Sequence, residues 1–63
     1  MVRRVQLRTL QRVAARPGVL EAHLISLSLD VEGCCRAGLL ERRGAGASTA
    51  LYLTPRGRAA LSR

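Results

Sequence analysis

A chain of 63 residues has room for one small domain, because a chain this short buries only about 60% of the surface that it exposes when unfolded. Its net charge of +7 comes from eleven arginines against four acidic residues, which makes a polyanion the natural partner. No apolar run approaches the ~20 residues of a membrane span, and the N-terminus lacks the apolar segment of a signal peptide. We therefore expect a single domain over residues 1–63, no membrane contact and a cytoplasmic location.

Residues Val2–Arg16 are predicted to form the first helix, which Pro17-Gly18 ends. Its apolar face, at helical spacing, comprises Val2, Val5, Leu7, Leu10, Val13 and Ala14. Arginines recur every four residues on another side, at Arg4, Arg8, Arg12 and Arg16. Like charges at this spacing repel by roughly a few tenths of a kcal/mol per pair, which phosphates would turn into an attraction. Arg8 and Arg12 are therefore candidate DNA contacts; the alternative is a solvated basic face.

The segment Val19–Leu29 carries two periodicities. Leu20, Leu24 and Leu27 lie on one side of a helix, whereas residues 25–32 alternate strictly between apolar and polar side chains, as a strand does. The residues alone leave helix and strand open.

Residues Asp30–Ala37 are predicted to form a third helix that Ser28 or Asp30 caps and that Gly38 closes in the left-handed conformation. Gly33 weakens this helix. The side chains expected to turn inward are Val31, Cys34 and Cys35.

Two short runs, Leu39–Arg43 and Thr49–Leu53, alternate as half-buried strands do. The segment Gly44–Ser48 between them is rich in glycine and follows two arginines, so an antiparallel hairpin with a basic tip is predicted. Thr54-Pro55 then supplies an N-cap hydroxyl and a proline at the first helical position, which predicts a last helix over Arg56–Leu61.

Three motifs follow one another between Ala37 and Leu61: Ala-Gly-Leu-Leu-Glu-Arg-Arg, a Gly-rich tip, and Tyr-Leu-Thr-Pro-Arg-Gly-Arg-Ala-Ala-Leu. Together they resemble the wing and following helix of winged helix-turn-helix regulators, particularly of the MarR and PadR type. The resemblance implies a DNA-binding fold. The spacing from Pro17-Gly18 to Leu29-Asp30 also matches the second helix and turn of that family, which favours a helix over Val19–Leu29.

The chain departs from this family in its third helix, which is shorter than the usual recognition helix. An alternative register makes Thr9–Arg16 the second helix and Leu20–Ala37 the recognition helix, but it leaves too little chain for a full first helix. The predicted fold class is therefore α+β: a small winged helix-turn-helix with three helices, a two-stranded β-hairpin wing and a short C-terminal helix.

In a winged helix the third helix enters the major groove of double-stranded DNA and the hairpin lies over an adjacent groove or the backbone. The resemblance therefore implies DNA contacts at Ser28, Glu32 and Arg36 on the third helix and at Arg42, Arg43, Ser48 and Thr49 on the wing. Arg36 would hold a guanine edge through two hydrogen bonds. Glu32 would accept from cytosine or stabilise the start of the helix.

Catalysis, metal binding and cofactor binding have little support in the sequence. His23 is the single histidine, no Ser-His-Asp or Cys-His grouping can be assembled, and the glycines near residue 44 lack the lysine of a phosphate-binding loop. Cys34 and Cys35 are adjacent, a spacing that disfavours a disulfide between them, so we interpret both as reduced apolar side chains. We expect no enzyme activity, no metal and no cofactor.

The predicted function is that of a small DNA-binding protein, a transcriptional or mobile-element regulator. The alternative is a protein-interaction module, an adaptor or inhibitor whose arginines bind an acidic protein surface, because the acidic middle of the chain suits the major groove poorly. Arginines that serve only solubility are a third interpretation. One module makes few base contacts, so we also expect a weak homodimer through the first or last helix.

Overall fold

The computed structural model describes residues 2–62 as four α-helices and a three-stranded antiparallel sheet, an α+β arrangement. In chain order the elements are α1 (Arg4–Ala15), β1 (Val19–Leu20), α2 (Glu21–Ser26), α3 (Val31–Arg36), β2 (Leu40–Arg43), β3 (Ala50–Leu53) and α4 (Pro55–Leu61). A single turn of 3-10 helix, Gly46–Ser48, lies between β2 and β3. Over the described part of the chain, every helix is too short or too polar to cross a lipid bilayer.

The core is one cluster of buried aliphatic and cysteine side chains that joins α1, α2, α3 and the sheet. Its members are Leu10, Val13, Val19, Leu24, Val31, Cys34, Leu39, Leu40 and Leu51. The predicted apolar face of α1 supplies Leu10 and Val13, whereas Ala14 on the edge of that face is exposed. Half-buried side chains, among them Leu61 of α4, pack against the cluster. The cluster therefore fixes the three helices against the sheet without any large aromatic ring.

Thr9 is a polar residue at the centre of this core, and its side chain is completely buried. Its hydroxyl donates to the carbonyl oxygen of Val5 at 2.7 Å and accepts from the backbone N–H of Asp30 at 3.1 Å. A buried hydroxyl with both bonds made carries little desolvation cost. Thr9 therefore ties α1 to the first residues of α3.

The central strand of the sheet is β3, with β1 and β2 on either side. β2 and β3 pair from Leu40 opposite Leu53 to Arg43 opposite Ala50, which confirms the hairpin that the alternating pattern predicted. Each strand begins one residue later than predicted.

The third strand, β1, corrects the prediction of a two-stranded hairpin. Val19 lies opposite Leu51, and the pairing is extended by the N–H of Gly18, which donates to the carbonyl of Leu51, and the N–H of Glu21, which donates to the carbonyl of Thr49. Two residues are too few to show the alternation by which strands are recognised, so the sequence pattern missed β1.

α2 occupies only the middle of the predicted helix Val19–Leu29. It ends in a Schellman motif: Ser28 has a φ of 60°, its N–H donates to the carbonyl of Ile25, and the N–H of Leu29 donates to the carbonyl of Leu24. Residues 25–32 therefore form a helix end, a turn and a helix start, and none of them joins the sheet. The alternation of apolar and polar residues over 25–32 therefore does not mark a strand; it coincides with the end of α2, the turn and the start of α3.

α3 begins and ends where its capping residues predicted. The carboxylate of Asp30, the N-cap, accepts from the N–H of Gly33 at 3.0 Å, and Gly38 beyond the other end has a φ of +74°. The alternative register, with a recognition helix over Leu20–Ala37, is wrong because the turn before Asp30 interrupts that segment. Val31 and Cys34 are buried and Cys35 is half-buried, as the inward face required.

α4 starts at Pro55 with Thr54 as its N-cap, as predicted. The Thr54 hydroxyl accepts from the N–H of Gly57 at 3.1 Å and donates to the carbonyl of Gly38. Gly57 is buried because it packs directly on the carbonyl group of Leu39, where a Cβ atom would collide with the oxygen. Gly57 is therefore required because α4 lies so close to the backbone of Leu39.

Replacing Thr9 by valine tests the joint between α1 and α3. Thr9→Val keeps the volume but leaves the N–H of Asp30 without a partner, so the free energy of unfolding should fall by about 1–3 kcal/mol in urea denaturation. Hydrogen exchange at the Asp30 amide should become faster than in wild type. Thr9→Ser keeps the hydroxyl and should keep this amide protected; a Thr9→Val protein with wild-type stability and exchange would contradict the role given to the hydroxyl.

Replacing Gly57 by alanine tests the close approach of α4. Although alanine favours helix by about 1 kcal/mol over glycine, the collision with the Leu39 carbonyl should make Gly57→Ala less stable by about 1–3 kcal/mol. Arg58→Ala, at the exposed neighbouring position, should stay within about 0.5 kcal/mol of wild type. Urea denaturation of the two variants checks this, and a stabilised Gly57→Ala protein would show that α4 has room at this position.

Candidate nucleic-acid interface

Four charged side chains join α2, α3 and β2 on one surface, which we call the Arg42 network: Glu21, Glu32, Arg36 and Arg42. Arg42 Nε donates to Glu21 Oε1 at 2.9 Å, and Arg42 Nη2 donates to Glu32 Oε1 at 3.0 Å and, more weakly, to Glu21 Oε2 at 3.4 Å. The other oxygen of Glu32 accepts from Arg36 Nε at 2.9 Å. The structure thus brings three of the predicted DNA contacts together, but their charges already pair with one another.

The pKa values within the Arg42 network follow from these hydrogen bonds. The pKa of Glu32 lies below its ordinary value, first because Arg42 donates to the carboxylate and second because Arg36 does. Hydrogen bonds to Glu21 and Glu32 raise the pKa of Arg42. Two arginines and two glutamates sum to zero formal charge, so this surface is neutral although the chain is strongly basic.

Arg43 lies on the opposite face of the hairpin from Arg42, because successive side chains of a strand point to opposite faces of the sheet. Its Nη2 donates to Glu41 Oε1 at 2.8 Å, and its guanidinium group lies 4.6 Å from the centre of the Tyr52 ring. This distance is typical of a cation–π interaction. The two hairpin arginines therefore do not form one basic patch, contrary to the expectation from their adjacency in the sequence.

The predicted hydroxyl contacts lie at three different places. Ser28 is exposed, but it belongs to the turn after α2 and not to the third helix, which corrects its assignment. Ser48 is exposed at the end of the 3-10 turn in the hairpin tip. Thr49 is half-buried, and its hydroxyl donates to the carbonyl of Gly46 at 2.9 Å, so it closes the tip.

Arg8 and Arg12 are exposed on α1, as predicted. They line an open groove of about 670 Å³ together with Leu27 and Leu29, which flank Ser28 in the turn between α2 and α3. The basic side of α1 therefore lies next to this turn. The sequence placed Arg8 and Leu27 on separate elements, and the fold brings them to one groove.

The arginines divide into two groups. Within residues 2–62, Arg36, Arg42 and Arg43 form ion pairs with glutamates, and no other arginine of this range lies within salt-bridge distance of an acidic side chain. The arginines of this second group are exposed on the helices and beside α1, at Arg3, Arg4, Arg8, Arg12, Arg16, Arg56 and Arg58. Asp30, the remaining acid, is the N-cap of α3. The basic character of the surface therefore comes from α1 and α4 and not from the hairpin.

Sequence reasoning missed two features of this region. Glu21 was not singled out, because its partner Arg42 lies far along the chain and no local pattern joins them. Three large apolar side chains remain exposed around α2, with 47% of Leu20, 58% of Ile25 and 41% of Leu27 accessible to solvent. The sequence placed Leu20, Leu24 and Leu27 on one side of a helix, but of these three only Leu24 is buried.

The two cysteines are free thiols. Burial raises the pKa of Cys34 to about 11, with a further contribution from the negative charge of Asp30. Burial also raises the pKa of Cys35, partly offset by Arg42. Thiols with raised pKa values are poor nucleophiles at neutral pH. No three His, Cys, Asp or Glu side chains are grouped as a metal site in the described range.

Titration of Glu32 tests the Arg42 network. We expect the side-chain carboxyl carbon of Glu32, followed by NMR, to titrate below the ordinary glutamate pKa of about 4.3, and Arg42→Gln to raise that midpoint. Because the folded-state pKa is the lower one, this carboxylate contributes stability above the unfolded-state pKa, and the contribution is lost as pH falls through the folded-state value. An unchanged midpoint in Arg42→Gln would mean that the two side chains do not pair in solution.

Comparisons with known proteins gave no relative for this chain. No protein-family model matches it, and neither the curated proteins nor the solved structures contain a significant match.

Proposed function

We propose that this chain is a small winged helix-turn-helix protein that binds double-stranded DNA and acts as a transcriptional or mobile-element regulator. The order of elements supports the fold: α2 and α3 are joined by a four-residue turn, residues 27–30, and the β2–β3 hairpin follows α3 directly. Two short helices joined by such a turn are the arrangement of helix-turn-helix proteins. In the proposed fold the β2–β3 hairpin would be the wing.

The observation that carries the proposal is the set of exposed arginines without acidic partners in the described part of the chain. Four of them, Arg4, Arg8, Arg12 and Arg16, recur every four residues along α1 and its C-cap, and Arg8 and Arg12 line the groove beside the turn before α3. Side chains that are already neutralised gain little from a phosphate, whereas unpaired arginines release counterions when they bind one. The phosphate-binding surface in this proposal is therefore α1 together with the α2–α3 turn.

Within this proposal the exposed residues of α3 would read bases. Arg36 is the long donor on this helix, and its i,i+4 ion pair with Glu32 is exposed to solvent, so a guanine edge can replace the glutamate at small cost. Ser28 would contact a phosphate beside Arg8 and Arg12. From the wing, Arg43 and Ser48 would reach the adjacent backbone.

A weak homodimer is part of the proposal. An open groove of about 800 Å³ between α1 and α4 is lined mainly by apolar side chains, including Val2, Leu7, Leu39 and Leu61. A second copy seated there would cover the half-buried Val2, Leu7 and Leu61 and double the number of base contacts. The net charge of +7 on each copy would keep the association weak in the absence of DNA.

A second candidate function is docking to another protein. The exposed Leu20, Ile25 and Leu27 favour it, because apolar side chains that surround one short helix are typical of interaction surfaces. In this candidate the partner would cover α2, and the arginines of α1 would meet acidic residues at its rim.

Titration with a random duplex at two salt concentrations tests DNA binding. If six to eight arginines contact phosphates, affinity should fall by roughly three to five orders of magnitude between 50 and 200 mM salt. Arg8→Gln combined with Arg12→Gln should reduce the slope of log K against log salt by about 2, since two phosphate contacts are lost. Circular dichroism would verify that the variant is folded.

The matched control is Arg56→Gln with Arg58→Gln, which removes the same charge from α4. It should change the slope less than the α1 variant does. Equal effects would show that net charge, and not the surface of α1, attracts the DNA. Ile25→Ser, on α2 and outside the proposed phosphate-binding surface, should leave duplex affinity unchanged; a loss of affinity for duplex at both salt concentrations would contradict a binding surface made of arginines.

A further inference from the structure

Arg42 is the one arginine of the described range whose guanidinium group lies between two carboxylates from two other elements. Glu21 comes from the first residue of α2 and Glu32 from the first turn of α3, while Arg42 projects from β2. The fold therefore brings both carboxylates to a residue of the hairpin. Neither pair is local, since Glu21 and Glu32 lie 21 and 10 residues from Arg42 in the chain.

The geometry of these contacts is the one that arginine uses for phosphate. Two nitrogens of Arg42 face the two oxygens of Glu21, at 2.9 and 3.4 Å, which is the forked arrangement of arginine with carboxylates and with phosphates alike. The carboxylate of Glu21 thus makes with Arg42 the kind of contact that a phosphate can also make. Glu32 binds the same guanidinium from α3 at 3.0 Å.

The free-energy cost of replacing a glutamate by a phosphate at Arg42 depends on how far these side chains are exposed to solvent. The side chain of Arg42 is 38% exposed and that of Glu32 is 62% exposed, so water screens the pair and a phosphate can displace it. However, displacement leaves two carboxylates beside the phosphate that replaced them. Like charges at an interface oppose binding and select against wrong partners.

We propose that Glu21 and Glu32 compete with DNA phosphates for Arg42 and thereby limit the affinity of this chain for DNA of any sequence. The inference rests on the proposed DNA binding and assigns its regulation to the Arg42 network. The α1 arginines supply attraction to any duplex, and the two glutamates keep the hairpin arginine out of that non-specific binding. Removing the competition should add one phosphate contact.

Glu21→Gln is the sharpest variant, because within residues 2–62 the carboxylate of Glu21 is paired with Arg42 alone. In a titration with random duplex at 100 mM salt, its affinity should rise about three- to tenfold over wild type. The slope of log K against log salt should become steeper by about 1. Glu32→Gln should raise affinity in the same direction, and it serves as the second variant if Glu21→Gln does not fold.

The control for the change in net charge is the same substitution in an Arg42→Gln background. Glu21→Gln adds one positive unit in both backgrounds, so a gain that depends on Arg42 should disappear when Arg42 is absent. An equal gain in both backgrounds, or no gain in either folded glutamate variant while wild type binds duplex, overturns the inference and leaves the proposed function intact. Absence of duplex binding by wild type and all variants at 50 mM salt overturns the proposed function and the inference with it.

Discussion

The position of α3 depends on a short chain of hydrogen bonds that starts inside α1. The buried hydroxyl of Thr9 holds the backbone of Asp30, and the carboxylate of Asp30 in turn holds the N–H of Gly33. Since α3 has only six residues, its own backbone bonds are too few to keep it helical in water. The helix exists because its first turn is bound to α1 and because Val31 and Cys34 are buried in the core. The exposed face of α3, and any contact made from it, is therefore positioned by a residue on another helix.

The fold distributes the charged side chains unevenly over the surface. Acidic side chains are concentrated in the middle of the sequence, and the fold sets them against the arginines of α3 and the hairpin, while the arginines of α1 and α4 stay free of acidic partners within residues 2–62. The surface around Arg42 is neutral, and the side of α1 beside the α2–α3 turn is basic. In the proposed function, the α1 surface would supply non-specific attraction to DNA, and the competition at Arg42 would act on the separate surface formed by α2, α3 and β2.

Signals that extend over only a few residues of the sequence predicted the helix caps, the turns and the hairpin. Thr54-Pro55, Gly38 and the two alternating runs around Gly44–Ser48 each act over a few residues, and the cap, the turn and the hairpin were predicted correctly. β1 was missed because its pairing with β3 depends on residues far along the chain. The partners of Arg42 were missed for the same reason, so the sequence identified Glu32, Arg36 and Arg42 as exposed site residues but not as a group that neutralises itself.

The two edge strands of the sheet, β1 and β2, determine whether a strand from a second molecule can pair with it. β1 offers only two residues of open backbone on one side, and β2 on the other side carries Glu41, Arg42 and Arg43 in succession. A very short strand and a row of charges are both poor templates for an added strand from a second molecule. Neither edge therefore favours the strand addition from which fibrillar aggregates grow, even though almost half of the residues are hydrophobic.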